Sequence, residues 1–516
     1  MIAPGDKESN EKKLKIAIIG SGISGTANAY FLKHLFGDKV EIVIFEKSNS
    51  IGGRLATYEF NERMYEIGGS VLHPSNKYME EFLKILDLKK KDQEEKRKSI
   101  VGLFDSNGLL FNTTGNLFGL LDKIRFLRHF GFFQLLKFKK WIRMFIKNFS
   151  KIYRLQEHGF VFNTLEEFLT KLSPELYIIS QKSLENALKD LEFNKRIIYE
   201  LASIACLTNY CQSIEIDGFV GLVSLAGTID DLWAVETGNK SVPTKLVEKA
   251  GAELRLKTKV KYISKDSQES NKNSIVYETE NGDEIQDNTF DYVIIAFPIF
   301  KNVIGDDFKL NFDIQEDFNN LEMQVTNTYV VYGELILFPN LPSDKRISLH
   351  CIDPKLACRS IAVQLPCDYS KKKDKNLYLN DGKKLYKIFS QEKLDENAFE
   401  RIFKSDYEII QFIPWLAYPK YEKNPNSKQI PKVILDSDRS RILYSNSLEW
   451  SSSCMEMCAI SARNVANIIA AKENVLTKKF FSPKKDDIFT SNLHLMSKIS
   501  SFVLISGFLF SSFYKI

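Results

Sequence analysis

The sequence predicts an α/β fold of two domains, and three observations support that prediction. Residues 14–19 (LKIAII) form an apolar, β-branched run typical of a buried strand, and residues 40–45 (VEIVIF) form a second one. Between the two runs, residues 25–36 carry apolar side chains at helical spacing behind a glycine-rich turn. A strand, a helix and a second strand in this order predict a βαβ unit with parallel strands.

Length and composition are those of an ordinary globular protein. The chain has 516 residues, of which 44% are hydrophobic and 27% are charged, and its formal net charge is +5. At roughly 150 residues per domain, this length predicts two or three packed units. The composition excludes collagen-like, low-complexity and disordered chains. We expect no nucleic-acid binding, since the overall charge is small and the sequence shows no recognised nucleic-acid-binding module.

The later segments predict further helices and strands. The pattern predicts a long helical stretch over about residues 118–154 and more helices over about 164–207. Strands, a β-hairpin and a last helix follow, in this order: a hairpin made from 254–262 and 274–280, a buried strand at 291–296, a strand at 441–444 and a helix at 455–471.

The turn after the first strand carries the pattern G-x-G-x-x-G, formed by Gly20, Gly22 and Gly25. Gly20 permits the tight turn, and Gly22 lets backbone amides approach a pyrophosphate at the helix N-terminus. Gly25 lets the helix and the strand pack closely. Glu46 ends the second strand, where an acid is expected to accept hydrogen bonds from an adenosine ribose. The context predicts a Rossmann-like dinucleotide site.

A second glycine motif follows Glu46. Residues 51–57 read Ile-Gly-Gly-Arg-Leu-Ala-Thr, which places Gly53 and Arg54 soon after the acid. This arrangement resembles the FAD-binding superfamily of flavin amine oxidases, carotenoid desaturases and Rab GDP-dissociation inhibitors, whose arginine helps to hold the cofactor. The planar guanidinium of Arg54 suits phosphate and carbonyl oxygens, although a structural ion pair is the alternative.

Further segments narrow the resemblance to the prenylcysteine oxidase family, over about residues 12–472. The segments that carry it are YEIGGSVLHP (65–74), NYCQS (209–213), LWAVETGNK (232–240), KIFSQE (387–392), PWLAYP (414–419) and SCMEMCAI (453–460). Two positions depart from the family pattern, because Thr237 and Ser447 stand where the family has glycine. We expect these residues to fit only where φ is negative.

The resemblance implies an FAD-dependent oxidase that cleaves S-prenyl-L-cysteine, with a farnesyl or geranylgeranyl chain. O2 and water are consumed, and L-cysteine, an isoprenoid aldehyde and hydrogen peroxide are released, in the degradation of prenylated proteins. It also implies cofactor contacts from residues in the later segments, in addition to those of the two glycine motifs: Gly69, Gly238, Glu449 and Met455.

The resemblance further implies a discontinuous FAD domain built from residues 12–75, 233–300 and 432–473. A substrate domain, in which a mixed sheet combines with helices, comprises 76–232 and 301–431. Residues 474–516 form a C-terminal tail with an apolar segment at 499–514, which is either a weak membrane anchor or a docked segment.

The flavin is expected to accept the hydride, so the protein needs no nucleophile of its own. His73, Glu236 and Glu449 are candidate acid/base helpers, and a structural hydrogen-bonding role is the alternative for His73. Trp233, Trp415 and Tyr418 either line a prenyl tunnel or pack in the core. The sequence contains no H-E-x-x-H, P-loop or G-x-S-x-G motif and no C-x-x-C pair, so we expect no metal site.

Residues 118–154 hold ten Lys/Arg and one acidic residue, interleaved with phenylalanines. This pattern predicts either contact with a membrane surface or a helix pair with a solvated basic face. The resemblance implies a lysosomal glycoprotein with sequons at Asn112 and Asn148, but the N-terminus shows no signal peptide.

Two other functions are compatible with the cofactor motifs. One is a different FAD amine oxidase or isoprenoid desaturase, which shares those motifs but lacks the later segments. The other is a non-catalytic prenyl-binding carrier that resembles GDP-dissociation inhibitors.

Overall fold

The computed structural model describes residues 13–92, 99–113, 120–266, 271–305, 307–312, 318, 321–342, 345–370, 372–374, 382–421, 430–436 and 438–481. The predicted apolar segment 499–514 lies outside the described residues, as does Thr114 of the first sequon.

The strands of the described residues are, in chain order, β1 (Leu14–Ile19), β2 (Val40–Phe45), β3 (Thr57–Phe60), β4 (Arg63–Glu66), β5 (Ser99–Asp105), β6 (Gly108–Asn112), β7 (Glu253–Arg255), β8 (Lys259–Lys265), β9 (Asn273–Glu278), β10 (Glu284–Phe290), β11 (Tyr292–Ile295), β12 (Lys309–Asn311), β13 (Met323–Gly333), β14 (Arg346–Cys351), β15 (Cys358–Val363), β16 (Lys384–Ser390), β17 (Glu408–Pro419) and β18 (Ile442–Tyr444).

The α-helices of the described residues are α1 (Ile23–Phe36), α2 (Lys77–Ile85), α3 (Leu120–Phe130), α4 (Phe132–Phe149), α5 (Lys151–Glu157), α6 (Leu165–Leu172), α7 (Pro174–Ser180), α8 (Leu184–Asp190), α9 (Ser203–Tyr210), α10 (Gly218–Ala226), α11 (Ser241–Ala250), α12 (Lys301–Ile304), α13 (Glu396–Ile402) and α14 (Met455–Lys472). Among them, none combines the length and the apolar content that crossing a bilayer requires.

A five-stranded parallel sheet forms the centre of the fold, in the order β18-β11-β1-β2-β7. Side chains alternate between its faces, so Ile16 and Ile18 pack under helices α1, α11 and α14, while Ala17 and Ile19 face a four-stranded sheet, β10-β9-β8-β12. Because both faces are covered, β1 is apolar along its buried length. The sheet takes strands from all three segments of the predicted FAD domain, whose boundaries stay a prediction.

A seven-stranded mixed sheet lies beside this layer, in the order β17-β13-β16-β15-β14-β5-β6. The hairpin of β3 and β4 packs on one of its faces, where Tyr58 and Tyr65 meet Val330 and Leu385. Helices α3 to α10 bury their apolar sides in the same core cluster as α1 and α14. Together these elements form the α/β architecture that the sequence predicts, with a Rossmann-like layer and a mixed sheet with helices.

One prediction about local structure is refined and another needs correction. Within the helical stretch at 118–154, the described residues form α3, α4 and α5, because the helix breaks at Gly131, whose φ is +88°, and again at Ser150. Residues 254–262 are not one strand, because β7 joins the parallel sheet and β8 begins a separate sheet. Lys257 lies between them with a φ of +50°, and this left-handed residue ends the first strand.

Candidate active site

The glycine turn joins β1 to α1 at the carboxyl edge of the parallel sheet. Gly20 has a φ of +105°, and its N–H donates to the carbonyl of Phe45 at 2.8 Å. A Cβ at Gly25 would lie 1.9 Å from the Gly20 carbonyl oxygen, so only glycine permits this packing. No described side chain caps α1 at Gly22, and the nearest described atom to a Cβ there is 3.9 Å away. The first amides of α1 are therefore open to a phosphate.

Glu46 is buried at the end of β2, and four protein donors orient its carboxylate. Ser21 donates its N–H and its hydroxyl to Oε2 at 2.9 and 2.7 Å, and Ser48 donates the same two groups to Oε1 at 2.9 and 2.7 Å. Hydroxyl donors rotate freely, so ribose hydroxyls could replace those of the two serines. Sequence reasoning missed both serines, although each lies within a residue or two of a motif position.

The second glycine motif delivers Arg54 to the same edge. Gly52 and Gly53 have φ values of +126° and +56°, and the N–H of Gly52 donates to the carbonyl of Ser21 at 3.2 Å. Arg54 Nη1 then donates to the Ala417 carbonyl at 2.7 Å, and Nη2 pairs with Glu449 Oε1. The structure therefore brings together two predicted site residues that are far apart in the sequence.

Glu449 lies in a 3₁₀ turn, Ser447–Trp450, just before α14. Its side chain is 2% exposed, and Oε1 also accepts from Ser453 Oγ at 3.0 Å. Oε2 is buried and has no hydrogen-bond partner among the described residues, and the same is true of Asn446 Oδ1. The α14 N-terminus at Met455 receives no side-chain cap from the described residues. The two buried oxygens need donors, which hydroxyl groups of FAD would provide, and the uncapped N–H groups of α14 could donate to its carbonyl or phosphate oxygens.

Gly69 and Gly238 are also neighbours in this region. The N–H of Gly69 donates to the Arg54 carbonyl at 3.0 Å, and Asn239 Nδ2 donates to the Gly69 carbonyl at 2.9 Å. Gly238 has a φ of +88°, next to Asn239. Neither Thr237 nor Ser447 has a positive φ among the described residues, so their backbones are unstrained without glycine.

The three candidate acid/base residues have different surroundings. His73 Nδ1 accepts from the N–H of Ser75 at 3.0 Å, and Nε2 lies 3.4 Å from an Asp230 carboxylate oxygen. Glu236 is half-buried, and its N–H donates to the Lys89 carbonyl at 2.9 Å. Of the three, only Glu449 is hydrogen-bonded to Arg54 in the described residues. A catalytic role for each of them stays a prediction.

The three aromatic residues that were predicted to line a prenyl tunnel lie in different surroundings. Tyr418 packs edge-on against Tyr210 with ring centroids 4.9 Å apart, next to the Ala417 carbonyl that Arg54 binds. Trp415 faces the hairpin cluster instead, and Trp233 donates to the His73 carbonyl at 3.3 Å. Tyr418 is therefore the member of this group that borders the Arg54 site.

Sequence reasoning missed the buried ionisable side chains Glu66 and Lys387. Asn239 N–H donates to Glu66 Oε1 at 2.5 Å, and Lys387 Nζ lies 3.5 Å from Ser70 Oγ. Burial lowers the pKa of Lys387 to about 8 and raises the pKa of Glu66 to about 7. A lysine within the apolar strand KLYKIFS was the available signal.

The fold and the site together define an FAD-dependent oxidoreductase. The open α1 N-terminus, Glu46, the Arg54–Glu449 pair and the unpartnered Glu449 oxygen all fit that cofactor. In the part of the chain that the structure describes, no group of three His, Cys, Asp or Glu side chains could hold a metal ion. All seven cysteines are described and are free thiols.

Comparison with known proteins identifies the family. The family model "prenylcysteine lyase" matches residues 116–480, and the model of an NAD(P)-binding Rossmann-like domain matches residues 18–86. The chain belongs to the prenylcysteine lyase family. It is 34% identical to human prenylcysteine oxidase 1 over 468 residues, with 88% of each chain covered. It is 28% identical to mouse prenylcysteine oxidase 1-like over 467 residues, covering 88% of this chain and 89% of that one.

A solved structure shares the fold. A redesigned triple mutant of putrescine oxidase superposes with a TM-score of 0.54, at 13% identity, over 89% of this chain and 100% of that one. This likeness confirms the predicted arrangement of a Rossmann-like layer beside a mixed sheet.

Proposed function

We propose that this chain is an FAD-dependent oxidase that cleaves the thioether of S-prenyl-L-cysteine, with a farnesyl or geranylgeranyl chain. O2 and water are consumed, and the products are L-cysteine, an isoprenoid aldehyde and hydrogen peroxide. The observation that carries the proposal is the prenylcysteine lyase match over residues 116–480, which includes five of the seven strands of the mixed sheet and reaches Glu449 and α14 at the predicted cofactor site. The reaction belongs to the breakdown of prenylated proteins.

The allylic carbon next to sulfur would lose a hydride, for which bound FAD would supply the acceptor. The chain's own residues would bind the cofactor, orient the substrate and exclude water. The α1 N-terminus and Arg54 would hold the phosphates, and Glu46 and Glu449 would accept from hydroxyl groups. Tyr418 offers an aromatic face beside Arg54 for the apolar substrate chain. After oxidation, water adds to the substrate carbon, and the resulting hemithioacetal releases cysteine and aldehyde.

Anaerobic mixing of the purified holoprotein with farnesylcysteine tests this proposal. We expect the flavin absorbance to bleach, and to recover with release of peroxide when air is admitted. A flavin that stays oxidised would rule out this substrate and favour another oxidase. A colourless protein that added FAD cannot reconstitute would favour the non-catalytic prenyl carrier.

We also propose that the outer faces of α3 and α4 contact a lipid surface from which a prenylated substrate can enter. Phe133 is 82% exposed, and Ile124 on α3 is 52% exposed. Basic side chains surround these apolar groups. The exposed basic residues of the two helices are Arg125, Arg128, Lys137, Lys140, Arg143 and Lys147.

Vesicle co-sedimentation tests the membrane contact. We expect the full chain to bind vesicles containing phosphatidylserine more strongly than neutral vesicles, and Phe133→Ser to weaken that binding. Ile178→Ser is the matched control, because Ile178 is 57% exposed on α7, outside the basic helices. Equal binding by both variants would contradict this contact.

The family resemblance also supports a lysosomal location. Microscopy of the full chain with a lysosomal marker, together with mass analysis of the Asn148 peptide for a glycan, tests this location. Cytosolic staining with an unmodified Asn148 would contradict it.

A further inference from the structure

A cluster of ionisable side chains lies between the β3–β4 hairpin and the seven-stranded sheet. Glu66 at the end of β4 and Lys387 on β16 are 7% and 5% exposed, and Cys367 is 2% exposed. Lys91 approaches from the segment after α2, and its Nζ donates to the Leu365 carbonyl at 3.0 Å. Lys387 and the half-buried Lys91 both interact electrostatically with the Glu66 carboxylate. The function proposed above uses none of them.

Lys387 reaches the segment that lines the cofactor site. Its Nζ lies 3.4 Å from the Glu66 carbonyl and 3.5 Å from Ser70 Oγ, both at the outer limit of a hydrogen bond. Ser70 follows Gly69, whose N–H is bonded to the Arg54 carbonyl. The Lys387 amine therefore lies beside the segment that carries Gly69, a predicted cofactor contact, with the Phe389 ring 5.0 Å from its Nζ.

The surroundings keep a fraction of this amine unprotonated. Burial lowers the pKa of Lys387 to about 8, against the opposing effects of Glu66 and Cys367. At neutral pH roughly one molecule in ten then carries the free amine, compared with roughly one in three thousand for an ordinary lysine. The other charged groups around the cluster are Lys91, Arg346 and Asp368. A desolvated lysine of this kind is a nucleophile toward carbonyl groups.

Glu66 supplies the proton that such a reaction needs. Burial raises the pKa of its carboxyl to about 7, so protonated and ionised forms coexist near neutral pH. Its Oε2 is buried and has no hydrogen-bond partner among the described residues. The Glu66 carboxyl also interacts electrostatically with Lys387, so the same cluster contains both an amine and an acid–base group.

We propose that Lys387 captures the isoprenoid aldehyde product as a covalent imine. This inference rests on the proposed function, which supplies the aldehyde. The Nζ lone pair attacks the carbonyl carbon, and a proton moves from nitrogen to oxygen to give a carbinolamine. Glu66 protonates the hydroxyl, water leaves, and the second nitrogen proton returns to Glu66. One amine and one aldehyde give one imine and one water, with no change in oxidation state.

Reductive trapping tests the proposal without relying on turnover. Farnesal is added in equimolar amount to the holoprotein at neutral pH, sodium cyanoborohydride reduces any imine, and peptide mass mapping locates the adduct. We expect one dominant farnesyl amine, on Lys387 of the wild-type chain. Lys387→Arg should abolish it, whereas Lys91→Arg should retain it because the Lys91 amine is bonded to Leu365. Glu66→Gln should slow its formation several-fold.

Three outcomes would overturn the inference: a dominant adduct on Lys91 or on surface lysines, an undiminished total adduct in Lys387→Arg, and an adduct on Cys367 that forms without the reductant. The last is conjugate addition of the thiol to the unsaturated aldehyde.

A parallel incubation with farnesylcysteine in air separates this inference from the proposed function. Peroxide without a trapped adduct overturns the inference alone. An adduct from added farnesal without peroxide from farnesylcysteine supports the lysine chemistry and overturns the proposed function.

Discussion

Gly25 lies at the tightest contact of the dinucleotide turn. We expect Gly25→Ala to destabilise the protein by about 3 kcal/mol and to remove bound FAD, because the new Cβ would lie 1.9 Å from the Gly20 carbonyl oxygen. Gly22→Ala is the matched variant, since a Cβ there has 3.9 Å to the nearest described atom. It should leave the melting temperature nearly unchanged and weaken FAD binding, because the methyl group faces the phosphate approach.

Thermal unfolding and the ratio of flavin to protein absorbance measure the two effects. A Gly25→Ala protein that melts like the wild type and carries full flavin would contradict this account of the turn.

His350 predicts a loss of stability at acidic pH. The ring is fully buried on β14, between Thr208 Oγ1 at 3.1 Å and Ser348 Oγ at 2.8 Å, and burial lowers its pKa from 6.5 to about 4. The unfolded chain therefore binds a proton below pH 6.5 that the folded chain resists. The stabilising contribution is complete above pH 6.5, and about 3 kcal/mol of it is lost as the pH falls to 4.

Denaturant unfolding of the wild type and of His350→Gln at pH 7 and pH 4 checks this prediction. Between pH 7 and pH 4, the unfolding free energy of the wild type should fall more than that of His350→Gln. A difference that is independent of pH would contradict the buried neutral ring.

Helix α2 receives its N-terminal cap from α14 rather than from its own sequence. Glu456 accepts from the N–H of Tyr78 at 2.9 Å and of Met79 at 3.1 Å, and from the Tyr153 hydroxyl at 2.7 Å. The side chain of Asn76, the N-cap residue of α2, makes no capping hydrogen bond to the helix. We expect Glu456→Ala to cost about 3 kcal/mol, because two buried amides lose their acceptor.

Glu456→Gln is the conservative control, because its amide oxygen keeps one acceptor. In chemical denaturation it should lose less unfolding free energy than Glu456→Ala. Equal stability of Glu456→Ala and the wild type would show that α2 does not depend on this cap.

At the scale of elements, local periodicity predicted β1, α1, β2, β11, β18 and α14 close to their observed bounds. It did not locate the breaks that a single backbone conformation produces. Gly131 and Lys257 adopt positive φ values, and the apolar pattern on either side of them carries no sign of the break. The glycine was a visible signal, whereas the lysine was not.

At the scale of the whole molecule, the segment after α14 closes the packing of distant helices. Phe480 is 8% exposed and lies within 6.0 Å, ring to ring, of Tyr30, Phe31, Tyr78 and Phe82. We expect Phe480→Ala to lower the free energy of unfolding by about 3–5 kcal/mol. Leu476→Ala in the same segment is the control, because Leu476 is 88% exposed.

Guanidinium unfolding of the two variants measures the difference. A Phe480→Ala protein as stable as Leu476→Ala would mean that this segment does not contribute to the shared core.

The sequence by itself determined the dinucleotide turn, the βαβ unit and the family, because each depends on residues close together in the chain or on ordered motifs. Only the tertiary structure decided which of those residues meet. Arg54 and Glu449 are 395 positions apart, and Lys387 reaches Ser70 across 317. Contacts of this kind depend on how the two sheets pack, and so do the burial and the pKa of Lys387. Local pattern carries no information about such packing, because periodicity reports which side of an element is buried and not what covers it.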